Sequence, residues 1–207
     1  MSPWIPVLLT FGVGCVSIYF VSRQILSSLD RARRERAVDM LMKWSEFNQP
    51  ETSSVTRLIE GLDDSQCLAI ANTTTLEIDV KHHDHLVNIL QLRFSDIDKQ
   101  LVEMKRNGVY FIEGRYLLYI RYIAMRYLNM LESILSSWSS GIADREIIKN
   151  EFAFLFDPTR SKTAMSKLRE RLGNESFPAI NLFLDELRCA KGLGRQTVWR
   201  EMLSLWR

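Results

Sequence analysis

Apolar residues fill the start of the chain without interruption and then thin out into a helical rhythm. Ser2 through Ser22, SPWIPVLLTFGVGCVSIYFVS, contains no charged residue. At about 1.5 Å per residue a helix of this length covers the roughly 30 Å hydrocarbon layer of a bilayer. The run therefore predicts a single transmembrane anchor over residues 1–22. Beyond it Ile25, Leu29, Ala32, Val38, Leu41 and Trp44 continue at helical spacing, with neither Gly nor Pro before Pro50. One long helix is expected to leave the membrane as a basic juxtamembrane stretch over 23–46.

The pattern then breaks into shorter pieces. Helical stretches are predicted around 52–61 and 64–74, ended by the helix-poor NTTT, and again from about His82 to Arg106, where Asn107 and Gly108 supply a stop. Residues 111–138 are apolar on nearly every side apart from Arg115, Arg121, Arg126, Asn129 and Glu132, which predicts a helix at the centre of a bundle. Three arginines exclude it as a second span. Ile147, Ile148, Phe152 and Leu155 mark the next helix, opened by Asp144 and closed by Pro158. Further helices are expected up to Gly173, from Pro178 to GLG, and from Arg195 to Arg207. No strand pattern competes, so the fold class expected is all-α, with one N-terminal transmembrane helix continuing into a cytosolic helical bundle over 47–207.

Charge fixes the expected orientation. Arg23, Arg31, Arg33, Arg34 and Arg36 all follow the apolar run, which places the N-terminus outside and the body in the cytoplasm, at the inner membrane. No basic residue precedes the run, as a cleaved signal peptide would require, and GVGC before Cys15 lacks the large aliphatic residue of a lipoprotein signal. Residues 1–43 hold six of the 27 Lys and Arg and three of the 25 Asp and Glu, leaving a body of 21 basic against 22 acidic residues. So balanced a body lacks the basic face that nucleic acid demands. The 207 residues allow the anchor and one compact domain. Three widely spaced cysteines fit a reducing compartment and no zinc motif.

The lipid bilayer is the first partner implied. Arg31, Arg33, Arg34 and Arg36 are placed to meet headgroups or a partner protein. Thr10, Gly14 and Ser17 form a small-residue face suited to a homo-oligomer. At the other end, RQTVWREMLSLWR reads as a basic amphipathic helix, with Trp199 and Trp206 on its apolar side, able to lie on the membrane or dock on the bundle.

Candidate chemistry is sparse. VKHHDH holds every histidine of the chain, and Asp79, His82 and His85 would share a face if all three were helical, yet no distant fourth ligand is apparent. No metal and no cofactor are expected. A ribonuclease motif of Arg followed by His four to six residues on is absent, since no Arg lies between 76 and 81. What remains is a polar set of Arg121, Asn129 and Glu132, joined by Asp144 or Arg145, whose ordinary role would be paired charges that fix packing.

RERAVDMLMKW after a single span, followed by IRYIAMRYLNMLESILSSWSSGIADREIIKNEFAFLFDP, resembles a bacterial family of small membrane-anchored helical proteins carrying a domain of unknown function. The most specific pieces are Leu128, Asn129 and Glu132, and the GIADREII turn. The resemblance implies a topology and a fold without a mechanism. With no catalytic constellation in view, the expectation is a non-enzymatic module that binds an unknown protein partner or itself, in a setting such as envelope sensing or phage defence. The alternative is a membrane-tethered enzyme with its site near Glu132.

Overall fold

In a computed structural model of the chain, residues 4–157 and 163–190 are described, with side chains from Ser17 onward except those of Asn174 and Ala190. Helix α1 (Trp4–Phe47) is a single unbroken element of 44 residues, as the uninterrupted rhythm predicts. Residues 17–36 are exposed without exception, and Ala37 is the first buried position. The apolar side chains of this stretch are uncovered, Ile18 and Phe20 being 68% and 64% exposed. Among the described residues no helix is long and apolar enough to cross a membrane. The anchor expected over 1–22 falls mainly on residues 1–16, whose side chains lie outside the described part, as do those of Thr10 and Gly14.

The far end of α1 docks on the body. Trp44 packs against Tyr127 and Phe152, with ring centroids 5.4 and 5.1 Å apart. Pro50 then opens α2 (Pro50–Glu60) at a position where its missing N–H costs nothing. Helix α3 (Asp64–Asn72) starts with a reciprocal cap: the Asp63 carboxylate accepts the Gln66 N–H, and the Gln66 side chain accepts the Asp63 N–H.

Residues 76–112 depart from the all-helical expectation. Strands β1 (Leu76–Asp79), β2 (Lys105–Arg106) and β3 (Val109–Ile112) form an antiparallel sheet in the order β1-β3-β2, with Leu76 opposite Ile112 and Lys105 opposite Tyr110. The signal is short but physical. Leu76 and Ile78 point inward while Glu77 and Asp79 face water, and Tyr110 and Ile112 alternate in the same way. Asn107 and Gly108, expected to end a helix, form the turn between β2 and β3; both have positive φ, 50° and 81°, as tight hairpins favour. The single helix expected from His82 to Arg106 is instead α4 (His83–Leu90) and α5 (Ile97–Met104), parted by a bend that includes left-handed Asp96. The fold is mostly helical with one small sheet.

Helix α6 (Gly114–Ser139) is central, but it is not buried all round. Tyr116, Ile120, Ile123, Tyr127, Leu131, Ile134 and Trp138 follow one another by three or four residues and line the inner side. Arg115, Leu118, Tyr122, Arg126 and Asn129 line the outer side and are exposed. Around the inner side stand α2, α3, α4, α7 (Arg145–Phe152) and α9 (Pro178–Ala190), while α8 (Ser166–Leu172) packs on α3. Arg171 of α8 pairs with Asp64 of α3 at 2.9 Å. The helix expected over 195–207, with Trp199 and Trp206, lies outside the described residues.

These two sides of α6 make opposite demands on substitution. Leu128→Ala, at a fully buried position, is expected to cost about 3 kcal/mol through lost transfer energy and a residual cavity. Asn129→Ala, on the outer side, is expected to change stability by less than about 0.5 kcal/mol. Denaturant unfolding of the full chain in mild detergent compares the two.

Candidate functional site

Four of the residues singled out from the sequence meet where α1 joins the body. Arg33 and Arg34 of α1 face the corner between α6 and α7 across an open cleft of about 580 Å³, which Asp144 and Arg145 also line. The corner is built by local rules. Gly141 takes φ +69°, ending α6, and Asp144 caps α7 by accepting the N–H groups of Glu146 and Ile147 at 3.0 and 3.2 Å. Arg145 turns back on the end of α6. Its Nε and Nη2 donate to the carbonyls of Trp138 and Ser139 at 3.2 and 2.7 Å, a cation at the negative pole of the helix.

The stalk is pinned to this corner by backbone and charge. Asp144 N–H donates to the Arg33 carbonyl at 3.1 Å, and the Arg34 guanidinium approaches the Asp144 carboxylate at 3.6 Å. Arg33 also stands 3.8 Å from Asp30 one turn earlier, and Arg31 and Arg36 are engaged along α1 with Glu35 and Asp39. The charges that line the cleft are thus largely paired with one another among the described residues. The cleft is a joint between stalk and body.

The polar set on α6 does not gather into one site. Asn129 is exposed and Arg121 is half-buried on the helix flank. Glu132 instead serves another helix: its two carboxylate oxygens accept the Ala179 and Ile180 N–H groups at 2.7 and 3.0 Å. Helix α9 needs this, because the residue before Pro178 is the buried Phe177, whose carbonyl accepts the Asn181 N–H but whose side chain has no acceptor for the Ala179 and Ile180 amides. A carboxylate at the positive end of the helix dipole supplies both the bonds and the charge.

Beside this lies an arginine that sequence reasoning missed. Arg169 is 3% exposed, and it donates to the Ala164 carbonyl at 3.0 Å and to the Asn181 side chain at 3.1 Å. Burial draws its pKa down, opposed by the Glu170 and Glu132 carboxylates. SKLRERL gives no hint of it. A polar heptapeptide with three cations reads as a solvated helix, and only the fold reveals which cation turns inward.

Asp79 parts from the histidines, although the His82 and His85 rings stay neighbours at 6.2 Å. Asp79 ends β1 and accepts the Lys81 N–H at 2.8 Å, so it never joins a helical face with His82 and His85. Among the described residues no three His, Cys, Asp or Glu side chains gather as metal ligands. His83 Nδ1 lies 2.9 Å from the Tyr110 hydroxyl, tying α4 to β3, and His82 is held below the usual imidazole pKa by burial, then by neighbouring Lys81. These are packing roles. Comparison with family models, with curated proteins and with solved structures gives no match.

Glu132→Ala removes a charged acceptor from two amides and is expected to cost about 2 kcal/mol, with Glu132→Gln losing less; thermal melting of the full chain ranks them. Burial also pushes the Cys67 thiol up to about 11 from 9.0, whereas Cys189 is exposed. Because the folded state holds that proton more tightly, its contribution to stability is whole below pH 9 and falls as pH rises towards 11. In the native chain at pH 8, iodoacetamide is expected to modify Cys189 well before Cys67, and peptide mass mapping of partial reactions reads the order.

Proposed function

We propose that the protein is a membrane-anchored helical interaction module, with its N-terminus outside the inner membrane and its body in the cytoplasm. The observation that carries this reading is α1. A single helix runs from a charge-free N-terminal stretch into the body, and the apolar side chains between 17 and 36 are exposed among the described residues. An uncovered apolar helix of this length needs a solvent other than water for its first part. The arginines that follow set the orientation.

The exposed stretch from Arg23 to Arg36 then acts as a stalk about 20 Å long. Its far end is fixed to the corner of α6 and α7 rather than left to swing. An enzyme centred on Glu132 is disfavoured, since both its carboxylate oxygens already serve α9. Envelope sensing and phage defence are settings that suit a tethered body of this kind.

The reading makes a clear demand on the apolar run. Full-length chain is expected to stay with membranes through carbonate extraction, and Leu9→Arg with Val13→Arg, each charge costing about 3 kcal/mol at mid-bilayer, to release it. A fluorescent protein fused to the C-terminus is expected to glow and a phosphatase fused there to remain silent. The reverse pattern, or release of the unaltered chain by carbonate, sinks the proposal.

A further inference from the structure

The outer side of α6 carries a continuous ladder of rings and guanidinium groups. Arg126 sits over Phe47 and Tyr122, 5.2 and 5.5 Å from their centroids. Tyr122 stacks on Tyr119 at 6.2 Å and 27°, Tyr119 meets Phe94 edge-on at 5.8 Å, and Arg115 lies over Phe94 at 5.4 Å. The rungs come from three parts of the fold, the end of α1, the bend between α4 and α5, and α6 itself. Neither arginine makes an ion pair among the described residues, although Arg115 donates to the Tyr116 hydroxyl at 2.7 Å and the Glu51 carboxylate lies near enough to Tyr119 to add to the upward push that burial gives its pKa; the Tyr119 and Tyr122 hydroxyls make no hydrogen bond there. Tyr122 is 53% exposed and adjacent Leu118 is 55% exposed.

Such a surface is costly to leave facing water and well made for contact. Tyrosine and arginine dominate the energetic centres of protein interfaces, because a ring or a planar guanidinium offers a large face with few rotors to freeze. Here the cation–π stacking holds Arg115 and Arg126 in place before any partner arrives. Neither charge is closed by an ion pair among the described residues.

Charge decides among occupants. A second copy docking face to face across a two-fold axis would set arginine against arginine. The chain's own C-terminal segment is basic, with Arg195, Arg200 and Arg207. On the anchored reading, Phe47 stands 25 residues beyond Ser22 in one unbroken helix, roughly 37 Å from the bilayer edge. Lipid headgroups at that end of the ladder are out of reach. A nucleic acid would require a run of cations tracking its phosphates, whereas the body is close to neutral.

We infer that the ladder from Phe94 to Phe47 along α6 docks a carboxylate-rich segment of a partner protein. Its acids pair with Arg115 and Arg126, and its apolar or aromatic side chains lie on Tyr122 and Leu118. This inference rests on the reading of the chain as an interaction module and assigns that module its binding face.

The test uses the full chain in nanodiscs of uncharged lipid. The probes are a short fluorescein-labelled peptide of repeated Glu-Glu-Tyr, the same peptide with Lys for Glu, and a single-stranded oligouridylate. The acidic peptide is expected to bind and the basic one not to. Arg126→Ala with Arg115→Ala is expected to weaken binding by about tenfold or more, and Tyr122→Ala by about fivefold, each losing a contact of the size found at interface centres. Arg188→Ala, an exposed cation on α9 across the inner side of α6 from the ladder, leaves affinity unchanged, and melting curves confirm that all variants fold. No binding of the acidic peptide, equal affinity in the ladder variants, or tighter binding of the oligouridylate overturns the assignment. Membrane retention is read separately, so a silent ladder on a firmly anchored chain removes the docking face and leaves the anchor standing.

Discussion

Tyr116, Ile120, Ile123, Tyr127, Leu131, Ile134 and Trp138 return to the same side of α6 every three or four residues, and five other helices bury their own apolar sides against that stripe. None of those helices is long enough to persist alone in water; α7 has eight residues and α9 thirteen. Their stability comes from this shared contact. Remove it and the capping bonds, the sheet and the joint with α1 lose the frame that aligns them.

Several polar groups around this stripe finish an element. Glu132 completes the open first turn of α9, Arg145 closes α6, Asp144 begins α7, and Arg169 holds the residues leading into α8. The last case is instructive. Ala164 and Met165 are both buried with positive φ, 46° and 56°, a conformation that costs non-glycine residues. The arginine's bond to the Ala164 carbonyl helps to keep them there.

Long periodic segments were legible from the sequence, short ones were not. The rhythm of α1 extends over many turns, so its helical period stands clear of noise; α6 was legible as the central helix, but its outer side, with exposed Leu118 and Tyr122, reads as apolar and so as buried. Four-residue strands such as Leu76–Asp79 give only two inward positions, and the Asn107–Gly108 pair serves equally as a helix stop or a hairpin turn. Glu132 was legible as a polar residue on an apolar helix. Its role was not, because its partners are amides forty-seven and forty-eight residues on. The ladder escaped for a related reason: Phe47 and Phe94 come from elsewhere in the chain, so spacing on α6 alone reveals four of its six rungs and not what joins them.

The unbroken passage of α1 from Trp4 to Phe47 has a mechanical meaning. An α-helix held by consecutive hydrogen bonds resists twisting about its axis far better than a loop does. A turn imposed on its first half is therefore delivered to Ala37 and Trp44, where the helix is gripped by the body. A flexible linker would dissipate such a rotation within a few residues. On the anchored reading such a helix would serve as a crank, the azimuth of the body following that of the span.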